Sequence, residues 1–181
     1  AASDVYKRQI LYNATDYSGT YDGKPHSISV DVTSPSSTNV TYSTDGKTYS
    51  TNNPVFTDAG EYTVCYKIEK SNYDTVAGKK KVVIAKKDLE VKVDDQRIVW
   101  GNDIDNTKYN VSGLTEGDGI SEITLKASTT ALTDNGTIRV SSIAITNDSK
   151  DVTSNYDIAL SDGKLVIEHL SLIHISEPTR Q

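Results

Sequence analysis

Residues 57–70 read TDAGEYTVCYKIEK, and the alternation inside that stretch sets the reading of the whole chain. Tyr62, Val64, Tyr66 and Ile68 fall on one side of an extended backbone; Glu61, Thr63, Cys65, Lys67 and Glu69 fall on the other. Successive side chains of a strand point to opposite faces, so the pattern predicts a half-buried β-strand with a tyrosine and aliphatic inner face. The same alternation puts Cys65 on the polar face. It is the chain's single cysteine, so no disulfide can form within the chain, and the reading is an incidental exposed or half-buried thiol. Lys67 shares its face, which is the kind of basic neighbour a reactive thiol wants.

Working outward, the composition suits strands. The chain has 181 residues, 11 tyrosines, no methionine and a net charge of −6. Hydrophobic residues make up 35%, yet they fall in alternating runs, which argues for packed strands over disorder. The acidic balance argues against an electrostatic grip on nucleic acid or anionic lipid. No run of about 18 apolar residues is present to span a membrane as a helix.

The two ends read as foreign to the protein. Asp4–Gln9 written as the codons GAT GTG TAT AAG AGA CAG has the reverse complement CTG TCT CTT ATA CAC ATC, which translates as Leu170–Ile175, LSLIHI. An inverted match at both ends is natural for a DNA fragment between transposase adapters, so residues 1–9 and 170–181 are set aside as adapter-derived tails. The expectation is that the natural protein continues past both.

Residues 10–86 read as one module. Strands are predicted at LYNATDY, in GTYDGKPHSISVDV with Ile28, Val30 and Val32 on one face, at NVTYS, and at KKKVVIA, with a hairpin tip at Asp45-Gly46. Residues 87–169 read as a second. Leu89, Val91 and Val93 alternate at its start, and NYDIALSDGKLVIE predicts a hairpin across Ser161-Asp162-Gly163 at its end. The phase of alternation shifts at Ser141-Ser142, which predicts a bulge there. The fold class expected is all-β: two tandem small β-sandwich modules. For the second module, a β-grasp-like arrangement with one short helix around GDGISEITL is the alternative. The junction AKKDLE has almost no linker, which favours a stiff segment.

These residues resemble known repeats. In Ig-like sandwiches a D-x-G-x-Y-x-C run sets a corner tyrosine two residues before a core cysteine; Asp58, Gly60 and Tyr62 keep that rhythm, with Val64 at the cysteine position. GTYDGKPHSISV and the run from VTYSTDGKTYS to KKKVVIAK look like bacterial Ig-like repeats of large Gram-positive surface proteins. The second module is similar to MBG-type repeats through LEVKVDDQRIVWGND, VSGLTEGD and SNYDIALSDGKLVI, with Trp100-Gly101 where that family usually shows Tyr-Gly. The resemblance implies a tandem array outside the cell, attached to its surface or wall, whose partners are neighbouring modules of the same chain. It supplies no catalytic residues.

The sequence offers little chemistry beside it. No nucleophile elbow, metalloprotease helix, glycine-rich phosphate loop or paired-cysteine motif occurs. Neither His26 nor His169 has a partner at metal-ligand spacing, so no catalytic residue, metal ligand or cofactor is assigned. Asp103, Asp105 and Asn106 in WGNDIDN are oxygen ligands of the type calcium takes, but such residues serve turns more often. The candidate ligand contacts are Trp100, Tyr73 and Tyr109, as a platform for a host glycan or mucin if they cluster on an exposed patch. Trp100 itself is expected in the core or at a module interface. Together these features read as a non-catalytic spacer of an adhesin-like surface protein. Its rivals are a glycan- or host-protein-binding module and an accessory domain of an extracellular carbohydrate-active enzyme.

Overall fold

A computed structural model describes residues 6–171, so most of both proposed adapter tails lies outside the described residues. The chain forms two compact units. One gathers the residues up to Lys87 with Thr115–Gly117 and Ser154–Asp157; the other gathers Asp88–Leu114, Asp118–Thr153 and the residues from Ile158 on.

In the first unit the strands are β1 (Leu11–Thr15), β2 (Tyr17–Thr20), β3 (Ser29–Ser34), β4 (Asn39–Ser43), β5 (Gly60–Glu69) and β6 (Val76–Ala85). β1 pairs with β3 in a two-stranded sheet, and a four-stranded sheet runs β2-β6-β5-β4. β5 is central there, with Val64, Tyr66 and Ile68 buried beside Val82 and Ile84 of β6. Burying a side chain of that size contributes roughly 1.5–3 kcal/mol, so the alternation that identified β5 also supplies the core. Tyr66 lies over Gly78, its partner on β6, and fills the space a side chain would take.

The second unit holds β7 (Lys87–Val93), β8 (Gln96–Val99), β9 (Tyr109–Ser112), β10 (Gly119–Ala127), β11 (Thr133–Asn147), β12 (Lys150–Asp151), β13 (Tyr156–Ser161) and β14 (Gly163–Glu168). One sheet runs β13-β7-β9, the other β10-β11-β14-β8 with β12 on β11. Leu89, Val91 and Val93 are buried as their alternation predicts. Val93, Leu125, Ile138, Leu165 and Ile167 form one cluster, flanked by Ile98, Ile104, Ile123, Ala127 and Val140. The predicted bulge is present: Thr124 pairs with Ser142 and Leu125 with Val140, leaving Ser141 unpaired. Within GDGISEITL the residues from Gly119 on belong to strand β10 and the two before it to the preceding loop, not to a helix; among the described residues the helical element is the single 3₁₀ turn Thr153–Asn155.

Both units start in the same way. The first strand pairs in one sheet, breaks, and resumes in the other sheet parallel to the unit's last strand: β1 then β2 beside β6, and β7 then β8 beside β14. An aspartate sits at each break. Asp16 Oδ1 accepts the Lys81 N–H of β6 at 2.7 Å, and Asp95 Oδ1 accepts the Lys164 N–H of β14 at 2.7 Å. A carboxylate thus satisfies a last-strand donor where the first strand turns away from it.

Two expectations are corrected. NYDIALSDGKLVIE is not a hairpin, because β13 joins β7 while β14 joins β11 and β8 in the other sheet. Asp162-Gly163 carries the chain across, and Gly163 lies so close to the Asp94 carbonyl that no side chain fits between them. Cys65 is not on an exposed face; it is 8% exposed. The outer face of β5 is covered there by the Asp45-Gly46 turn, where a side chain at Gly46 would begin 3.7 Å from the Cys65 Sγ. Asp45 holds that turn by accepting the Lys47 and Thr48 N–H groups and the Ser43 hydroxyl.

Candidate functional site

The sequence pattern D-x-G-x-Y builds a corner in the first unit. The Tyr62 hydroxyl donates to the Asp58 carbonyl at 3.0 Å, four residues upstream, and the Phe56 ring stacks on Tyr62 with centroids 4.1 Å apart. Asn155, 1% exposed, closes the corner from the other side. Its Nδ2 donates to Asp58 Oδ1 at 3.0 Å and its Oδ1 accepts the Ala59 N–H at 2.8 Å. The Tyr62 hydroxyl and the Asn155 Oδ1 hold backbone groups, and the Asn155 Nδ2 holds the Asp58 carboxylate, which is structural work.

His26 is also occupied. Its ring stacks on Tyr17 with centroids 4.1 Å apart, and its Nε2 lies 2.8 Å from Asp22 Oδ1. That contact, with the Lys24 N–H, holds the Asp22 carboxyl below its ordinary pKa. Among the described residues no group of three or more histidine, cysteine, aspartate or glutamate side chains is placed to hold a metal ion. In the WGNDIDN loop Asp105 Oδ1 takes the Thr107 hydroxyl and N–H, and Asn106 Oδ1 takes the Leu125 N–H. These oxygens serve the turn.

Among the described residues the three aromatic candidates make no ring contact with one another. Tyr73 is half-buried in the first unit, in a β-bridge with Arg8, and Tyr109 is half-buried on β9 opposite Val93. Trp100 is not in the core; it is 59% exposed. Its backbone N–H continues the β8–β14 pairing by donating to the Glu168 carbonyl at 2.8 Å. Gly101, at φ +93°, then turns the chain sharply away, leaving the indole on the surface with its ring centroid 6.4 Å from that of His169.

Trp100 forms one wall of an open groove of about 620 Å³ within the second unit. Its floor is the apolar rim of the core: Ile98, Ile104, Leu125, Ala127 and Ile167. Its polar edges come from Asn102 and Asp103 after β8, and from Lys126, Thr129 and Thr130 at the end of β10. Thr129 Oγ1 accepts the Ala131 N–H. Among the described residues, the side chains of Asn102, Asp103, Lys126 and Thr130 make no hydrogen bond or ion pair. Sequence reasoning singled out Trp100 and Asp103 but not the groove. Three separate segments build it, and no local pattern in LKASTT or KLVIE announces a shared surface.

Residues 89–166 match the family model of the MBG domain (YGX type), which bears out the resemblance read from the second module. No curated protein matches the chain. The all-β sandwich class is likewise borne out, and among the described residues no helix is long and apolar enough to cross a membrane.

Proposed function

We propose that this chain is a segment of an extracellular, surface-attached repeat protein in which modules at 10–86 and 87–169 act as a non-catalytic spacer, holding another domain away from the cell. The observation that carries the reading is the MBG-type match over 89–166. The shared start of the two units supports it: each carries a broken first strand, an aspartate at the break and a parallel last-strand partner. Repetition of one architectural device along a chain is what an array of stacked or strung modules requires. The partners in this reading are neighbouring modules of the same chain.

The test is geometric. Arrays of one, two and four copies of residues 10–169, labelled at their ends, are measured by small-angle scattering and by distance distributions between the labels. A spacer gives an end-to-end distance that grows in proportion to copy number. Growth as about the square root of copy number, the behaviour of a flexible string, refutes the reading.

A further inference from the structure

We propose that the Trp100 groove is a binding site for an uncharged saccharide, with the indole as its stacking face. The inference concerns the second unit alone and does not depend on the spacer reading. The volume of about 620 Å³ lies inside the range of about 300–1,000 Å³ in which small-molecule sites fall. More telling is what lines it. One wall is a large aromatic ring left 59% exposed beside an aliphatic core cluster. The floor is aliphatic. The edges carry four polar side chains that nothing in the described residues engages: Asn102, Asp103, Lys126 and Thr130.

Three ligand chemistries compete for such a surface. An anionic polymer or phosphate group needs a cationic excess, but the groove sets one lysine against one aspartate on a chain of net charge −6. A wholly apolar partner, such as a second copy docking by its hydrophobic surface, would strip water from the four free polar groups and offer them nothing. A neutral sugar ring meets both demands. Its C–H face lies against the indole and the aliphatic floor, as amphipathic aromatic rings allow. Its hydroxyls both donate and accept, so Asn102 and Thr130 can do either, Asp103 can accept and Lys126 can donate.

Trp100 is the chain's single tryptophan, so its emission reports on this groove. The full 181-residue chain is screened on an array of neutral, sialylated and sulfated oligosaccharides. Neutral hits are then titrated in solution by tryptophan emission, acrylamide quenching and calorimetry. The expected result is a saturable emission change for a neutral oligosaccharide, with reduced quenching in the bound state. Trp100→Ala, with an unchanged far-ultraviolet circular dichroism spectrum, should weaken calorimetric binding about tenfold or more, and Trp100→Phe should restore part of it. Asp103→Ala and Thr130→Ala should each weaken binding and leave the indole emission of the free protein in place. Four results overturn the proposal: no saturable neutral ligand, binding confined to anionic sugars, a neutral ligand whose affinity survives Trp100→Ala, or an emission change driven by protein concentration alone, which would make a second copy the occupant.

Discussion

Replacing Gly163 by alanine should destabilise the second unit, whereas the same change at Gly119 should not. At Gly163 an added Cβ would press into the Asp94 carbonyl oxygen and stand 3.0 Å from the Val93 oxygen and 2.9 Å from the Asp94 carbonyl carbon. These are backbone atoms, and they cannot retreat cheaply. The Asp94 N–H is bound to the Lys108 carbonyl, its carboxylate takes the Asn110 amide at 2.6 Å, and the next residue holds the Lys164 N–H. Overpacking of this kind costs about 1–3 kcal/mol. The reduced freedom of the unfolded chain offsets about 0.4–1 kcal/mol, so a net loss of about 1–2 kcal/mol is expected. At Gly119, on β10, nothing stands within 4 Å of the added atom, so only the gain of about 0.4–1 kcal/mol remains. With a urea m-value of about 1–3 kcal/mol per molar, the midpoint should fall by about 0.3–2 M for Gly163→Ala and rise by about 0.1–1 M for Gly119→Ala. Trp100 fluorescence isolates the second unit's transition from the first, which matters because two units need not unfold together. A Gly163→Ala midpoint equal to or above the parent's would refute the reading of the crossing between sheets.

Three other outcomes follow from the first unit and the surface turns. Tyr62→Phe removes the hydroxyl that caps the Asp58 carbonyl and should cost about 1 kcal/mol in a urea melt followed by circular dichroism, with the Phe56 stacking retained. Stability should fall at both extremes of pH. Asp22, Asp45, Asp105 and Asp151 all sit below the ordinary carboxylate value, because His26 and the Lys24 N–H, the Lys47 N–H and Ser43 hydroxyl, Thr107, and the Thr153 N–H respectively favour their charged forms. Their contribution is therefore complete above about pH 4 and is lost as pH drops through the lowered values. Tyr66 is pushed up to about 12 by burial and by its hydrogen bond with Tyr12, so its share is complete below about pH 10 and is lost as pH climbs toward about 12. Urea midpoints recorded from acid to alkaline pH check both limbs; a midpoint still rising below pH 3 contradicts the acid assignment. Cys65 should react with a thiol reagent at a rate that rises with denaturant, reflecting opening of the Asp45-Gly46 turn. Immediate labelling in native buffer would place the thiol outside.

Much of the fold was legible because period-2 alternation is a direct image of burial. β5, β7 and the bulge at Ser141 were read from it, and the Tyr62 corner from D-x-G-x-Y. The failures share a cause: each depends on what lies on the second side of a strand or at its end. Cys65 sits on the nominally polar face, but a turn from β4 folds over it. SDG between two alternating runs has the composition of a tight hairpin, yet it serves a crossing between sheets, since a glycine is needed where the Asp94 carbonyl comes close. Trp100 was expected in the core or at a module interface because large aromatics usually pack, and the Gly101 turn leaves it out of the core. The groove is assembled from segments far apart in sequence, so it appears only in three dimensions that Asn102, Asp103, Lys126 and Thr130 are unengaged among the described residues.

The parallel pairing of β2 with β6 and of β8 with β14 has a mechanical consequence. When tension pulls the beginning of β2 one way and the end of β6 the other, the two strands must slide past each other along their length. The ladder from Tyr17 opposite Val82 to Thr20 opposite Ala85 then bears the load together, in shear, rather than opening one rung at a time. The ladder from Gln96 opposite Leu165 to Val99 opposite Glu168 is loaded likewise, with the Trp100 N–H as a further rung and the Asp95 carboxylate gripping the Lys164 amide at its head. Lifetime under force is set by the rate of unfolding rather than by equilibrium stability. A module tethered at both ends in flowing liquid is therefore held closed by where its terminal strands lie, quite apart from how large a core it buries.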